Sequence, residues 1–77
     1  MTKREFRESK EYAEMKEKIK GYSTGFTFTL PYHKMTQAQK NAMDIVTSDC
    51  MKEGIIDSVS IGLDIHGNQT EETFKRI

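Results

Sequence analysis

Apolar residues in the first part of the chain recur every three or four positions, which is the period of an α-helix. Thr2 followed by Glu5 matches a capping box at the helix start, and Gly21 is expected to end the helix. The pattern predicts a surface helix over residues 2–20 whose first two turns are frayed or projecting, since Phe6 lies off the apolar stripe. The stripe consists of Tyr12, Met15, Ile19 and Tyr22.

The next segment alternates apolar and hydroxyl side chains, which is the signature of a strand with one buried face. Thr27 and Thr29 fall on its exposed side, and Pro31 should end the pairing or confine it to a sheet edge. The apolar side is formed by Phe26, Phe28 and Leu30.

A second helix is predicted after this strand. Thr36 with Gln39 repeats the capping-box pattern, and Gly54 supplies a left-handed C-cap. Its inward stripe consists of Ala38, Ala42, Ile45, Val46 and Cys50.

Residues 55–65 alternate again and predict a second strand. Gly67 and Asn68 form a turn, and residues 70–77 make a short closing strand with Phe74 as its inward anchor. The apolar side of the second strand, expected to face the core, is Val59, Ile61, Leu63 and Ile65, and its polar side is Ser58, Ser60, Gly62 and Asp64.

These elements predict one small α+β domain over residues 1–77, in the order α-β-α-β-β. A charged N-terminal helix (1–21) precedes a βαββ core (23–77). Because only one side of each strand is apolar, the helices should pack on one face of a three-stranded sheet that ends in a C-terminal β-hairpin. The long connection between the first two strands allows a parallel crossover, which predicts a mixed sheet. The last strand lies either between the other two or at an edge.

The predicted core contains the apolar side chains of these stripes together with Ile55. Several apolar residues remain outside it: Phe6, Tyr32, Met35, Met43, Met51, Ile56 and Ile77.

Charge and length exclude several classes of function. Twelve basic and twelve acidic residues cancel, which argues against a strongly basic nucleic-acid surface or a polybasic membrane anchor. No apolar run approaches the roughly 18 residues that span a bilayer, and the N-terminus lacks the apolar region of a signal peptide. A single cysteine suits a reducing compartment. We therefore expect a cytoplasmic protein without a membrane partner.

Cys50 is the first candidate for chemistry, as a thiol nucleophile with His33 or His66 as its base. Cys50 falls in the last turn of its helix, where the helix dipole disfavours a thiolate. It also lies on the apolar stripe, so a buried core position is the favoured interpretation.

Asp49 falls within or beside the same apolar stripe and therefore needs a partner. One interpretation is a functional acid with a raised pKa. The favoured one is an ion pair or hydrogen bond to the first helix, from Lys or Arg there, or from hydroxyls such as Ser23 and Thr24.

Residues 64–72 place oxygen ligands at alternate positions, as a calcium loop does. The glycine comes at the fourth position instead of the sixth, and Lys75 stands where a bidentate Glu is needed. A hairpin turn explains the segment, and we expect neither a metal nor a cofactor.

The favoured function is a non-enzymatic interaction module that binds another protein or a second copy of itself. Its short, cysteine-poor chain would suit a bacterial, phage or mobile-element accessory protein. The alternatives are weak nucleic-acid binding through the N-terminal Lys/Arg/Glu helix and an enzyme using Cys50 or Asp49. The candidate contact residues are Met43 and Met51 on a flank of the second helix, and Thr27, Thr29, Ser58 and Ser60 on the exposed sheet face.

Overall fold

The computed structural model describes residues 2–77, and no helix within this range is long and apolar enough to cross a membrane. Three helices and a three-stranded sheet confirm the α+β class and the C-terminal hairpin. The helices are α1 (Lys3–Arg7), α2 (Lys10–Lys20) and α3 (Gln37–Lys52), and the strands are β1 (Thr27–Leu30), β2 (Ile56–Leu63) and β3 (Gln69–Arg76). A 3-10 turn, Tyr32–Lys34, joins β1 to α3.

The single N-terminal helix predicted from the sequence is in fact two helices. Ser9 has an extended backbone (φ −82°, ψ 156°), and its hydroxyl caps α2 by accepting from the Tyr12 amide at 3.2 Å. The same hydroxyl donates to the Phe6 carbonyl at 2.6 Å. The break lets α1 pack on the core, so Phe6 is buried and its ring meets Tyr12 edge-on at 5.7 Å. The expectation of frayed or projecting first turns is wrong.

The sheet is entirely antiparallel, with β3 between β1 and β2. The mixed sheet expected from the long crossover is wrong, although the crossover exists. β1 and β2 run in the same direction, but the hairpin returns β3 into the gap between them. Each outer strand therefore pairs only with β3, and the last strand takes the central one of the two positions that the sequence allows.

The alternation in β1 is confirmed. Phe28 and Leu30 are half-buried, whereas Thr27 and Thr29 are exposed. Phe28 lies opposite Phe74 of β3, and the two rings stack with centroids 5.5 Å apart. This side of the sheet, which we call the inner face, is the one that the helices cover.

The burial predicted for the apolar side of β2 is wrong. Ile56, placed outside the core by the sequence pattern, is 1% exposed, and a register shift follows between Ser58 and Ser60. Val59 is the additional residue of this β-bulge, and it changes which residues of β2 share a face with Ile56. The four residues expected in the core are exposed: Val59, Ile61, Leu63 and Ile65.

The core lies between the helices and one end of the sheet. Its fully buried members come from α3, β2 and β3: Val46, Cys50, Ile56 and Phe74. Phe6, Ile19 and Tyr32 are also buried, so Tyr32 joins Phe6 and Ile56 among the residues wrongly placed outside the core. Phe26 and Ala38, predicted inside, are exposed.

Candidate functional site

Asp49 joins α3 to both N-terminal helices. Its carboxylate accepts two hydrogen bonds from the Arg7 guanidinium, Nε to Oδ2 at 2.8 Å and Nη2 to Oδ1 at 3.0 Å. The Tyr12 hydroxyl donates to Oδ2 at 2.6 Å. The ion pair to the N-terminal segment is confirmed, with Arg7 as the partner instead of Ser23 or Thr24.

The hydrogen bonds from Arg7 and Tyr12 stabilise the ionised form of the Asp49 carboxyl group. Hydrogen bonding from Arg7 is the main effect that lowers the pKa of Asp49 to about 2, and partial burial opposes it only in part. The pKa of Asp49 is therefore lowered, whereas the interpretation of Asp49 as a functional acid required a raised pKa. Lys16 of α2 pairs with Glu53 after α3, so a second ion pair ties the same helices together.

Cys50 is fully buried, as the apolar stripe predicted. Burial raises the pKa of its thiol, which keeps the sulfur protonated. The His33 ring is engaged elsewhere: its Nδ1 donates to the Thr70 carbonyl at 2.9 Å. Asp49 and Cys50 are neighbours in sequence but have separate contacts: Asp49 bonds α3 to the N-terminal helices, and Cys50 packs in the core.

Met43 and Met51, predicted as one contact flank, differ in their burial. Met43 is half-buried and lines a cavity of about 320 Å³ together with Met15 of α2 and Met35. Met51 is 37% exposed near the end of α3. The packing interpretation therefore suits Met43, and Met51 stays a candidate for contact.

The four hydroxyl residues predicted as a contact face are divided between the two sides of the sheet. Thr73 of the central strand pairs with Thr29 of β1 and with Ser60 of β2. These three residues therefore form a row across the outer face of the sheet, which is the face opposite the inner face. The Thr29 and Thr73 hydroxyls are 2.8 Å apart, and Thr27 is exposed on the same face. Ser58 lies opposite Phe74 and therefore belongs to the inner face.

The turn between β2 and β3 is closed by its own hydrogen bonds. The Asp64 carboxylate accepts from the backbone amides of His66 at 2.8 Å and Asn68 at 2.9 Å. Gly67 has a φ of +81°, as the turn prediction requires. Within residues 2–77, no three His, Cys, Asp or Glu side chains are grouped so that they could hold a metal ion.

The most unusual surface is the half of the hairpin farther from the helices. We call the apolar residues of this half the bare hairpin patch, because seven consecutive positions carry four large apolar side chains that are mostly exposed. Their exposed fractions are 57% for Val59, 56% for Ile61, 63% for Leu63 and 96% for Ile65.

The helices do not cover the patch, and the central strand beside it is polar. Ile61 lies opposite Glu72, whose carboxylate accepts from the Ser58 hydroxyl at 2.7 Å and the Tyr32 hydroxyl at 3.3 Å. A carboxylate is costly to bury among apolar side chains, so the inner face is polar beside Ile61. The sequence indicates that the central strand is mostly polar, because Phe74 is the one large apolar residue between positions 69 and 76.

No protein-family model, curated protein or solved structure matches this chain.

Proposed function

We propose that this protein is a non-enzymatic interaction module that binds a protein partner through the bare hairpin patch. The observation that supports this is the exposure of Val59, Ile61, Leu63 and Ile65 on one edge strand and its turn. A contiguous apolar surface that a fold leaves uncovered is typical of a protein contact.

The energetics favour covering the patch. Full burial of a large aliphatic side chain contributes about 1.5–3 kcal/mol, so covering a side chain that is a little over half exposed contributes about 1 kcal/mol. Several such side chains within one strand can together offset part of the entropic cost of association, which is about 4–15 kcal/mol. Asp57 precedes the patch in β2 and would lie at its rim, whereas the Asp64 carboxylate is held in the turn by backbone amides.

The chemistry of the two former enzyme candidates supports a binding role. Asp49 is neutralised by Arg7, and the Cys50 thiol is both buried and protonated. Arg7 and Lys16 of the N-terminal segment are likewise engaged in ion pairs with carboxylates, which reduces the positive charge that this segment could offer to nucleic acid. The cytoplasmic location and the accessory role in a bacterium or phage stay predictions from composition.

A matched pair of variants tests the proposal. The patch variant carries Val59→Thr, Ile61→Thr and Leu63→Thr, which keeps β-branched or strand-compatible residues while removing apolar surface. The control variant carries Met51→Gln and Ile77→Thr, which removes exposed apolar residues at other places. Partners are captured from cell extract by the wild type, identified by mass spectrometry, purified and titrated against all three proteins.

We expect the patch variant to bind a captured partner at least about 10-fold more weakly, whereas the control variant binds as the wild type does. The same titration includes the wild-type chain itself as a partner. Equal affinity of the patch variant and the wild type for every partner would overturn the proposal. Loss of binding in the control variant alone would assign the contact to Met51 or Ile77 instead.

A further inference from the structure

Negative charge surrounds the bare hairpin patch, although the chain as a whole is neutral. Residues 54–74 contain no lysine or arginine, and their acidic residues are Asp57, Asp64, Glu71 and Glu72. Lys75 lies opposite Asp57 in the sheet. In the part of the chain that the structure describes, none of these four carboxylates forms an ion pair. The hairpin therefore has a negative electrostatic potential, which attracts cationic groups.

Two of these carboxylates lie beside the patch, one on each face of the sheet. Glu72 lies opposite Ile61 on the inner face, and Glu71 lies opposite Gly62 on the outer face. The Glu71 side chain covers Gly62, since a Cβ atom at Gly62 would lie 2.7 Å from Glu71 Cγ. Neither carboxylate has a basic residue opposite it in the sheet, so a cation from a partner could pair with each of them.

The hydrogen bonds that Glu72 accepts come from neutral groups. The donors are the Ser58 hydroxyl at 2.7 Å, the Gln69 side-chain amide at 3.2 Å and the Tyr32 hydroxyl at 3.3 Å. Asp44 of α3 is half-buried as well, and while burial is the main effect that raises its pKa, the charge of Glu72 adds to it. A cation brought by a partner would therefore stabilise the ionised form of Glu72.

The charge around the patch distinguishes between classes of partner. Nucleic acids and anionic lipid headgroups carry phosphates, which these carboxylates repel. A second copy of the chain would bring the same carboxylates to the contact. A segment with apolar side chains and Lys or Arg residues is complementary in both respects, since it covers the apolar surface and brings opposite charge.

The free edge of β2 favours an extended partner segment. An edge strand directs part of its backbone N–H and C=O groups away from the sheet, where a further strand can bond to them. Register shifts after Ser58 and after Gly62 limit the regular part of this edge to Ser60–Gly62. Main-chain bonding therefore involves only a few residues, and side-chain contacts have to contribute as well. The β1 edge is short and is followed by Pro31, which protects it.

We infer that the partner that covers the bare hairpin patch is an extended, basic polypeptide segment, whose apolar side chains pack on Ile61 and its neighbours and whose Lys or Arg groups pair with Glu71 and Glu72. The inference rests on the proposed function, because it names the chemistry of the partner that binds at the same patch.

Three labelled peptides of about eight residues, the length of β2, test the inference. One alternates valine with lysine, one alternates valine with glutamate, and one alternates serine with lysine. Fluorescence anisotropy measures their affinity for the wild-type chain. We expect the valine–lysine peptide to bind at least about 10-fold more tightly than the other two. Its affinity should fall as salt rises from about 0.01 M to about 0.1 M, because screening weakens exposed ion pairs.

Two charge variants locate the contact. The variant with Glu71→Gln and Glu72→Gln should bind the valine–lysine peptide about 10-fold more weakly than the wild type, because two ion pairs are lost. The variant with Glu11→Gln and Glu17→Gln changes the net charge equally at exposed positions of α2, and it should bind as the wild type does. The patch variant should also lose affinity for this peptide. Circular dichroism shows whether each variant is folded.

The outcomes separate this inference from the proposed function. Equal binding of the three peptides, or equal loss in the two charge variants, overturns the inference. Captured partners that lose affinity in the patch variant but not in the variant of Glu71 and Glu72 would support the interaction module and overturn the basic partner. Binding of labelled DNA or of phosphatidylserine vesicles that is lost in the patch variant would also overturn it, as would a dimer of the chain that the patch variant does not form.

Discussion

Two isoleucines of β2, five positions apart, differ in burial. Ile56 lies opposite Arg76 and is 1% exposed, whereas Ile61 lies opposite Glu72 and is 56% exposed. Arg76 and Glu72 are four positions apart in β3, so both isoleucines belong to the inner face. The difference is coverage: Ile56 packs in the cluster that contains Val46 of α3, and the helices do not extend over Ile61.

The comparison extends to the two ends of the sheet. At the covered end, aromatic side chains from three segments pack in series, Tyr22 on Phe28 at 5.2 Å and Phe28 on Phe74 at 5.5 Å. At the bare end, the bare hairpin patch lies beside the Glu72 carboxylate. A strand's alternation therefore states which residues share a face, and the packing of other elements decides whether that face is buried.

The largest expected effect is at the centre of the covered end. Phe74→Ala should destabilise the fold by about 3–5 kcal/mol, because it empties a fully buried site among α3, β1 and β2. Urea unfolding followed by circular dichroism measures the loss. Phe74→Leu, which retains an apolar side chain, is the control and should lose less than half as much. A loss below about 1 kcal/mol for Phe74→Ala would contradict the assignment of this residue to the core centre.

The pair of isoleucines provides the most direct test of the comparison. Ile56→Ala should cost about 2–4 kcal/mol, and Ile61→Ala should change the stability of the monomer by less than about 0.5 kcal/mol. Both are measured by urea unfolding at a protein concentration below the dissociation constant of any dimer. Equal losses for the two variants would show that the bare end is covered.

The ion pair between α1 and α3 helps to hold the helical cover over the sheet. Asp49→Asn should lose about 1 kcal/mol at neutral pH, a modest value because the Arg7 side chain is 42% exposed and screened by water. Glu17→Gln, on the exposed surface of α2, is the control.

The pH dependence of this loss has a definite sign. Because Arg7 lowers the pKa of Asp49 from 3.8 to about 2, the stabilising contribution is complete above pH 3.8 and disappears as the pH falls towards 2. Unfolding midpoints of the wild type and Asp49→Asn should therefore converge across this window. A gap of constant size from neutral pH to pH 2 would mean that the loss is not electrostatic.

The smallest expected effect concerns the turn that leads from α3 into the covered end of β2. Gly54 has a φ of +72°, so Gly54→Ala should cost about 1 kcal/mol through backbone strain, although space is available for the methyl group. Gly21→Ala is the matched control, since Gly21 caps α2 with an ordinary φ of −74°. We expect its unfolding midpoint to change little or to rise. A shift of equal size and sign in both variants would argue against strain at Gly54.

Local chemistry was sufficient to predict much of the fold. The capping box of Thr36 and Gln39, the left-handed Gly54 and the alternation of β1 depend on interactions within a few residues, so the sequence shows them directly. The burial of Cys50 followed from its place on an amphipathic stripe. The element order from β1 onward and the hairpin followed in turn, since each depends on local periods and turn residues.

Packing between residues far apart in the chain decided the features that the sequence did not predict. Ser9 ends the first helix at a point where Phe6 can reach the core. The helical pattern of the sequence continues through Ser9, so the sequence does not show this break. The choice of Arg7 as the partner of Asp49 required α1 to pack against α3. Antiparallel pairing on both sides of β3 likewise depends on contacts between residues far apart in the chain, such as Phe28 and Phe74.

The bare hairpin patch belongs to this second class. The apolar alternation from Val59 to Ile65 predicted a buried strand, but these residues are exposed, because the helices do not cover them and the Glu72 carboxylate lies beside Ile61. The pattern in the chain determined that these residues are apolar and lie in a strand and its turn. Only the tertiary structure determined that no helix covers them, because burial depends on what packs above a strand and not on the strand's own sequence.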